Sequence, residues 1–242
     1  MEFLELDLAS LKGIQKAGKE LHGKTDKLHM LFASAGVMVP PLGSRSADDI
    51  ELQLATNTLG HHYLIQLSLP LLLAARSKDF SPRVCLTSSS GHNAIMGPPA
   101  FSKADPEIKN RGKAWYLPSD TRRQLLYGNS KMGNILTANK FHRLYASQGL
   151  VFASCNPGNL KTELARHVPS LTKRMIQFLL FPPEYGALNQ LYICTSQDGE
   201  KLGGQYVAPW TRVVSPSHEA KDQKSEDELY EWCEETIKRV VG

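Results

Sequence analysis

Short apolar runs alternate along this chain with longer stretches in which apolar residues recur at helical spacing. The clearest apolar runs are residues 29–33, 83–87 and 150–155, and helical patterns cover 47–76 and 122–147. Runs that are apolar throughout are typical of parallel strands buried on both faces. Strands that alternate with helices place those helices on the two faces of one sheet. The sequence therefore predicts an α/β fold with a doubly wound parallel sheet, in one domain over residues 1–242.

Weaker patterns complete this prediction. Residues 3–6 are expected to form a first strand, and Ser10 suits the N-cap of a helix that begins at Leu11. Further helices are expected at 171–181, at 184–195 and near 229–237, and a last strand at 204–208. Residues 92–121 are polar and rich in proline, which indicates a long and functional loop rather than a core element.

Turn-forming and polar residues follow several of the predicted strands. These residues are Asp7, Ala35-Gly36, Ser89 and Pro157-Gly158. The carboxyl ends of parallel strands share one edge of a sheet, and ligands of open α/β sheets bind at that edge. The sequence therefore predicts a binding site there.

Tyr127 and Lys131 stand four residues apart in the predicted helix at 122–147. That spacing puts both side chains on one helix face, a turn apart. A free tyrosine has a pKa of about 10, and a nearby cation is expected to lower that pKa. The pair is therefore a candidate for moving a proton to or from an alcohol oxygen. A solvated pair on the helix surface is the competing interpretation.

Composition excludes several classes of function. The net charge of +4 is small and the basic residues are scattered, which argues against a nucleic-acid partner. The longest apolar stretch, residues 63–75, is too short to span a bilayer, and no signal peptide is visible, so we expect a cytoplasmic protein without a membrane span. No metal site is expected, because the cysteines have no metal-ligand spacing and read as buried free thiols: Cys85, Cys155, Cys194 and Cys233.

Three further motifs surround the tyrosine–lysine pair. They are Asn57-Thr58-Leu59-Gly60-His61, Arg83-Val84-x-x-Thr87-Ser88-Ser89 and Asn156-Pro157-Gly158-Asn159-Leu160-Lys161-Thr162-Glu163-Leu164. In this order they resemble the short-chain dehydrogenase/reductase family, and most closely its retinol-dehydrogenase-like branch. The resemblance runs from Leu6 to about Trp210. It implies a Rossmann-like fold and a hydride transfer between a nicotinamide and a carbonyl or alcohol carbon.

The resemblance also implies roles for four residues. Tyr127 would donate or accept the proton, and Lys131 would lower its pKa and bind the nicotinamide ribose. Ser89 would hydrogen-bond the substrate oxygen, and Asn57 would hold a water that links Lys131 to solvent. The alternatives are a hydroxyl that caps a turn for Ser89 and a satisfied polar residue within a helix for Asn57.

The implied cofactor is NADP, with NAD not excluded. By resemblance, Asp7 meets the adenine amino group and Leu8 offers a backbone N–H, although a plain strand-end aspartate is the alternative for Asp7. Ala35 and Gly36 let the backbone approach the adenosine ribose, because bulkier side chains would prevent it. The other implied contacts are Ser34, Tyr127, Lys131, Pro157, Gly158, Leu160 and Thr162. A helix N-cap is a second role for Thr162.

One part of the family pattern is absent from this sequence. No Gly-x-x-x-Gly-x-Gly turn precedes the first predicted strand, and by position residues 3–6 correspond to the third strand of the family sheet. The first two strands, in a segment of about 40–60 residues, would then be missing. Three explanations stay open: the natural chain begins upstream, residues 3–6 pair directly with the next strand, or the product is a non-catalytic relative that binds a partner.

The substrate and the assembly are also inferred by resemblance. The segment after Thr162 would form a lid, and its apolar residues favour a lipophilic alcohol, ketone or aldehyde, such as a terpenoid, polyketide or retinoid-like molecule. A core helix is the alternative for that segment. Residues around Trp115 and Tyr116 are placed near the substrate mouth. Family members often pair through the tyrosine-bearing helix, so a homodimer is possible.

Overall fold

The computed structural model describes residues 2–95, 117–161 and 180–242. Six α-helices lie in these ranges: α1 (Leu11–Lys24), α2 (Leu52–Leu54), α3 (Gly60–Ala75), α4 (Ser119–Tyr145), α5 (Ala187–Thr195) and α6 (Gln223–Val241). The five strands are β1 (Met30–Ala33), β2 (Arg83–Thr87), β3 (Val151–Cys155), β4 (Tyr206–Ala208) and β5 (Arg212–Val214). A π-helical turn, Ala55–Leu59, joins α2 to α3, and a 3-10 helix, Ser90–Ala94, follows β2.

The strands form one sheet in the order β1-β2-β3-β4-β5. The first four strands are parallel and β5 is antiparallel to β4. Every residue of β2 and β3 is buried, as their continuous apolar sequences predict for central strands. The predicted α/β, Rossmann-like parallel sheet is confirmed.

Helices cover both faces of this sheet. On one face α3 and α4 pack on the strands around Ile65, Phe141 and Phe152, with α1 and α6 outside them. On the other face α5 packs on β2 and β3 through Ile193 and Cys194. The carboxyl ends of β1 to β3 share one edge of the sheet, and the predicted site residues that follow these strands lie at that edge.

The predicted first strand is wrong. Residues 3–6 form no strand, and Phe3 is 85% exposed. A strand needs a neighbour to pair its N–H and C=O groups, and none of the described strands lies beside residues 3–6. Direct pairing of residues 3–6 with β1 is therefore wrong as well. The expectation that β1 is buried on both faces also fails, because β1 is an edge strand and its Phe32 is 40% exposed.

Several other expectations are corrected or lie outside the described residues. The sequence reading missed β5, and it placed helix at 184–186 where the chain forms a 3-10 turn ahead of α5. Ser10 does cap α1, since its hydroxyl accepts from the Gly13 N–H at 3.1 Å. Thr162, residues 171–179 of the apolar lid and helix predicted at 171–181, and the loop residues Trp115 and Tyr116 lie outside the described ranges. The remaining lid residues, 180 and 181, are not helical.

The four cysteines are free and buried, as predicted. Their wide spacing in the sequence concealed one contact, because the Sγ atoms of Cys85 and Cys155 lie 3.6 Å apart between β2 and β3. Hydrogen bonds with the sulfurs of Cys155 and Cys194, and then burial, raise the pKa of Cys85 well above its usual value. The Cys85 thiol therefore stays protonated, and it behaves as a core side chain. Among the helices of the described ranges, none has the length and apolar character needed to cross a membrane.

Candidate active site

The site is built where the end of β2 meets the middle of α4. The Ser88 hydroxyl donates to the Lys131 carbonyl at 2.7 Å, which ties the strand end to the helix. The turn that follows lies directly on α4, and a Cβ at Gly128 would stand 2.5 Å from the Gly91 carbonyl oxygen. Only glycine at 128 permits this approach, so the sequence Tyr127-Gly128 brings the residues after β2 beside the Tyr127 ring.

The Ser89 hydroxyl and the Tyr127 ring both lie beside Gly91, since a Cβ on Gly91 would stand 3.5 Å from Ser89 Oγ and 3.4 Å from the Tyr127 ring. Hydrogen bonding by the Ser89 side chain acts to lower the pKa of Tyr127. The Ser89 hydroxyl also accepts from the Gly91 N–H at 3.1 Å and so caps the 3-10 helix. Both interpretations of Ser89 are therefore compatible with the geometry, since one oxygen serves the turn and the tyrosine. Tyr127 is buried, with 7% of its surface exposed, so the paired hydroxyls lie in a largely desolvated position.

Lys131 lies one turn after Tyr127 and is buried. Its Nζ donates to the Thr87 carbonyl at 2.9 Å and stands 5.8 Å from the centre of the Tyr127 ring. Burial lowers the pKa of Lys131 to about 8. The buried ammonium of Lys131 therefore lies near the Tyr127 ring, but its hydrogen bond goes to the backbone carbonyl of Thr87 at the end of β2.

The expected lowering of the Tyr127 pKa is wrong for this arrangement. Burial raises the pKa of Tyr127 to about 12, and the hydrogen bond with Ser89 only partly opposes that rise. Removing a phenolate from water is costly, and the ammonium of Lys131 is engaged with Thr87. Tyr127 is therefore fully protonated near pH 7, which suits a proton donor better than a base.

Asn57 lies in the π-helical turn and joins two parts of the site. Its Nδ2 donates to the Val37 carbonyl at 2.9 Å and to the Ser130 hydroxyl at 3.0 Å, and its Oδ1 accepts from the Val37 N–H at 2.8 Å. π-helical turns inside α-helices are frequent at functional sites. The amide of Asn57 is thus satisfied, and it fixes the loop after β1 against α4.

Gly36 lies between Asn57 and Lys131. A Cβ at Gly36 would stand 2.6 Å from Asn57 Oδ1 and 3.6 Å from Lys131 Nζ. The backbone of residues 35–36 therefore reaches the lysine without an intervening side chain. The four predicted catalytic residues, Asn57, Ser89, Tyr127 and Lys131, converge with Gly36 at one point of the sheet edge.

The other predicted cofactor residues spread along the same edge. Pro157 and Gly158 follow β3, and Gly158 has φ +96, a conformation that side chains rarely adopt. The Ser34 hydroxyl accepts from Gln190 Nε2 at 3.1 Å, and Leu160 forms a bridge with Phe181. Gly158 packs beside Pro209 and Trp210, since a Cβ there would stand 3.4 Å from the former and 3.8 Å from the latter.

Asp7 and Leu8 lie at the start of α1, by the beginning of α3. The Asp7 carboxylate accepts from the Ala9 N–H at 2.9 Å, and a Cβ on Gly60 would be 2.5 Å from the Leu8 carbonyl. Leu8 is itself a core residue, 7% exposed. The geometry therefore gives Asp7 a local turn-capping role and leaves its carboxylate exposed for further contacts.

Sequence reasoning missed a polar cluster behind Lys131. Neither ring nitrogen of the buried His61 has a hydrogen-bond partner among the described residues, and the same holds for Thr87 Oγ1 and Asn134 Oδ1. Burial, with a smaller effect of the Lys131 charge, lowers the pKa of His61 to about 3. Buried polar atoms of this kind are usually satisfied by ordered water. The only signal in the sequence was His61 itself, at the end of the motif that begins with Asn57.

Comparison with known proteins identifies the family of this chain. No protein-family model matches the sequence. A short-chain dehydrogenase/reductase of Armillaria gallica is 37% identical over 232 residues, which cover 96% of this chain and 72% of that protein. This chain belongs to the short-chain dehydrogenase/reductase family. It is therefore an oxidoreductase of that type, and it spans about 72% of the length of this relative.

Solved structures show the same fold for this short-chain dehydrogenase/reductase. An uncharacterized protein from Mycobacterium paratuberculosis superposes with a TM-score of 0.70 at 25% identity, over 97% of this chain and 74% of that one. An NADPH-bound carbonyl reductase from chicken fatty liver superposes with a TM-score of 0.60 at 18% identity, over 88% of this chain and 76% of that one. The second likeness concerns the fold alone.

Proposed function

We propose that this short-chain dehydrogenase/reductase transfers a hydride between NADP(H) and a lipophilic alcohol, ketone or aldehyde, with Tyr127 as the proton donor or acceptor. The observation that carries the proposal is the position of the Ser89 hydroxyl beside Tyr127 at the end of β2, since a Cβ on Gly91 would stand 3.5 Å from Ser89 Oγ and 3.4 Å from the Tyr127 ring. A carbonyl oxygen placed between these hydroxyls would accept a hydrogen bond from Ser89 and a proton from Tyr127. With a pKa of about 12, Tyr127 is protonated at neutral pH and so is in the form that donates a proton in reduction.

The residues at the sheet edge fit a nicotinamide cofactor. Gly36 brings backbone close to Asn57 and Lys131, where a Cβ would stand 2.6 Å from Asn57 Oδ1, and Gly158 turns the chain after β3 with φ +96. The bound nicotinamide supplies the hydride in reduction. In the proposed complex the Lys131 ammonium exchanges its bond with the Thr87 carbonyl for the ribose hydroxyls. NADP is our proposal because the motif order resembles the retinol-dehydrogenase-like branch, which usually prefers NADP; NAD is the alternative.

A lipophilic substrate is supported by an aromatic cluster next to Gly158. The rings of Phe181 and Tyr185 pack against Trp210 at centroid distances of 4.6 and 5.1 Å. Phe181 and Tyr185 each leave 44% of their surface exposed. Exposed aromatic surface beside a site gains free energy when it covers an apolar ligand. The motif order, which resembles the retinol-dehydrogenase-like branch, supports the same substrate class.

The direct test combines cofactor binding with turnover. The chain is titrated with NADPH by fluorescence and calorimetry, and NADPH oxidation is followed with a long-chain aldehyde. Tyr127→Phe is expected to lower kcat by about 10²–10⁴-fold, the usual contribution of a positioned proton donor. Tyr145→Phe, on the same helix but away from the site, is the matched control and should keep its turnover.

The outcomes separate the two functions that the sequence left open. NADPH binding together with a selective loss in Tyr127→Phe supports the oxidoreductase. A chain that binds no NADPH, or whose turnover is unchanged in Tyr127→Phe, contradicts the proposal and favours a non-catalytic binding protein.

A further inference from the structure

His92 is buried one turn after Ser89 and uses both nitrogens of its ring. Nδ1 lies 2.6 Å from the Ser89 carbonyl oxygen, and Nε2 lies 3.2 Å from the Ser217 backbone nitrogen. A carbonyl can only accept and a backbone N–H can only donate. Nδ1 therefore carries the hydrogen and Nε2 is bare, so the partners of the ring determine its tautomer.

The ring acts on the residue whose hydroxyl meets Tyr127. The Ser89 carbonyl accepts twice from residue 92, from the ring and from the backbone N–H at 3.2 Å. The Ser89 hydroxyl is held at the same time by the Gly91 N–H. The backbone of Ser89 is thus fixed at its carbonyl by His92. Its hydroxyl lies by Gly91, next to the Tyr127 ring.

The other side of the ring contacts a different part of the chain. Its edge meets the Tyr206 ring of β4 at a centroid distance of 5.1 Å, and Ser217 belongs to the segment before α6. His92 therefore connects the turn after β2 with the carboxyl-terminal part of the chain. Burial lowers the pKa of His92, with the Ser89 bond acting in the opposite direction, so the ring is neutral near pH 7.

We propose that His92 is a positioning residue for Ser89. In its Nδ1–H tautomer it anchors the turn between α4 and the segment at 215–217, so that the Ser89 hydroxyl stays on the substrate oxygen and on Tyr127. The proposal rests on the proposed function, and it gives a role to His92, which lies outside the motif at 83–89 that predicted the role of Ser89. A displacement of about 1 Å in a reacting geometry can cost about 10²-fold in rate, so an anchor of this kind matters for turnover.

Two conservative variants separate the two nitrogens of the ring. In His92→Asn the amide nitrogen reaches the position of Nδ1 and can still donate to the Ser89 carbonyl. In His92→Gln the longer side chain reaches the position of Nε2 and can keep only the Ser217 contact. Both variants remove the imidazole and are similar in polarity, so each is the matched control of the other.

Turnover is measured at a temperature well below the Tm of both variants. We expect kcat of His92→Gln to fall about 10–100-fold with the KM for the carbonyl substrate within threefold, while His92→Asn keeps kcat within about threefold. The Kd for NADPH should be unchanged in both. Equal losses in the two variants, or a larger loss in His92→Asn, would overturn the positioning role and leave His92 as a structural link to Ser217.

A spectroscopic readout makes the inference independent of turnover. Long-range 1H–15N correlation of the histidine rings in the full chain reports which nitrogen of His92 carries the hydrogen. The Nδ1–H form is expected, and the Nε2–H form contradicts the anchor whatever the kinetics show. If the wild-type chain does not turn over with NADPH, the proposed function fails, and this spectrum alone then decides whether His92 holds Ser89 as inferred.

Discussion

At the scale of single residues, the site is defined by burial acting on two groups of opposite kind. Burial raises the pKa of Tyr127 to about 12 and lowers that of Lys131 to about 8, and in both cases it favours the neutral form. The sequence pattern Tyr-x-x-x-Lys predicted their proximity correctly but not the sign of the tyrosine shift. Spacing reports which side chains share a face, whereas the pKa depends on the solvent and the partners that the tertiary structure provides.

The buried ammonium of Lys131 predicts a pH dependence of stability. Its pKa is about 8 in the folded chain and 10.5 in the unfolded chain, so between these values the unfolded state binds more protons and the free energy of unfolding rises with pH. Below pH 8 the cost of burying the charge is present in full, roughly 3 kcal/mol before the hydrogen bond with Thr87 offsets part of it. Lys131→Met should therefore be more stable than the wild type at pH 7, in urea denaturation.

That advantage of Lys131→Met should shrink steadily as the pH is raised from 7.5 to 10. Other titrating groups affect both proteins alike and cancel in the difference. A difference that does not change with pH would show that the pKa of Lys131 is the same in the folded and unfolded chains, so that its ammonium is not desolvated.

At the scale of secondary-structure elements, the site depends on how closely the turn after β2 approaches α4. Gly128 permits that approach, since a Cβ there would meet the Gly91 carbonyl oxygen at 2.5 Å and Ile95 at 3.3 Å. The sequence located both elements well: β2 was predicted to the residue, and α4 within three residues of its observed start. Their contact could not be predicted, because a glycine inside a helix is read only as a weak helix former.

Gly128→Ala tests this contact. The added methyl group has to displace the turn that carries Ser89, so turnover should fall at least about tenfold, even though alanine favours a helix by about 1 kcal/mol over glycine. Gly23→Ala in α1 is the control, because nothing lies within 4 Å of the Cβ that the alanine adds. This variant should keep full turnover. Equal activity in the two variants would show that the turn has room to move without consequence.

At the scale of the whole molecule, the parallel order of β1 to β4 follows from the alternation of apolar runs and helices. The sequence predicted the elements near the two ends of the chain less well. Residues 3–6 have a strand-like sequence, but a strand exists only where a neighbour pairs with it. β5 is three residues long and largely exposed, so its sequence contains no apolar run that would predict a strand. The role of His92 could not be predicted from the sequence either, because its partner Ser217 lies 125 residues away along the chain.

The aromatic cluster of Phe181, Tyr185 and Trp210 predicts which substrates the molecule prefers. Trp210→Ala should lower kcat/KM for a long-chain aldehyde about tenfold and leave a small polar ketone nearly unaffected, since only the former gains from apolar contact. Phe3→Ala, an exposed aromatic outside the cluster, is the control and should change neither value. Equal effects on both substrates would argue against an apolar substrate surface at this position.

The central claim is that the Ser89 and Tyr127 hydroxyls act together on one substrate oxygen. A double-mutant cycle of kcat/KM with Ser89→Ala, Tyr127→Phe and the combined variant measures this most directly. We predict that each single change causes a large loss and that the combined variant loses little more than Tyr127→Phe alone. Losses that simply add, or a Ser89→Ala variant as active as the wild type, would contradict the claim.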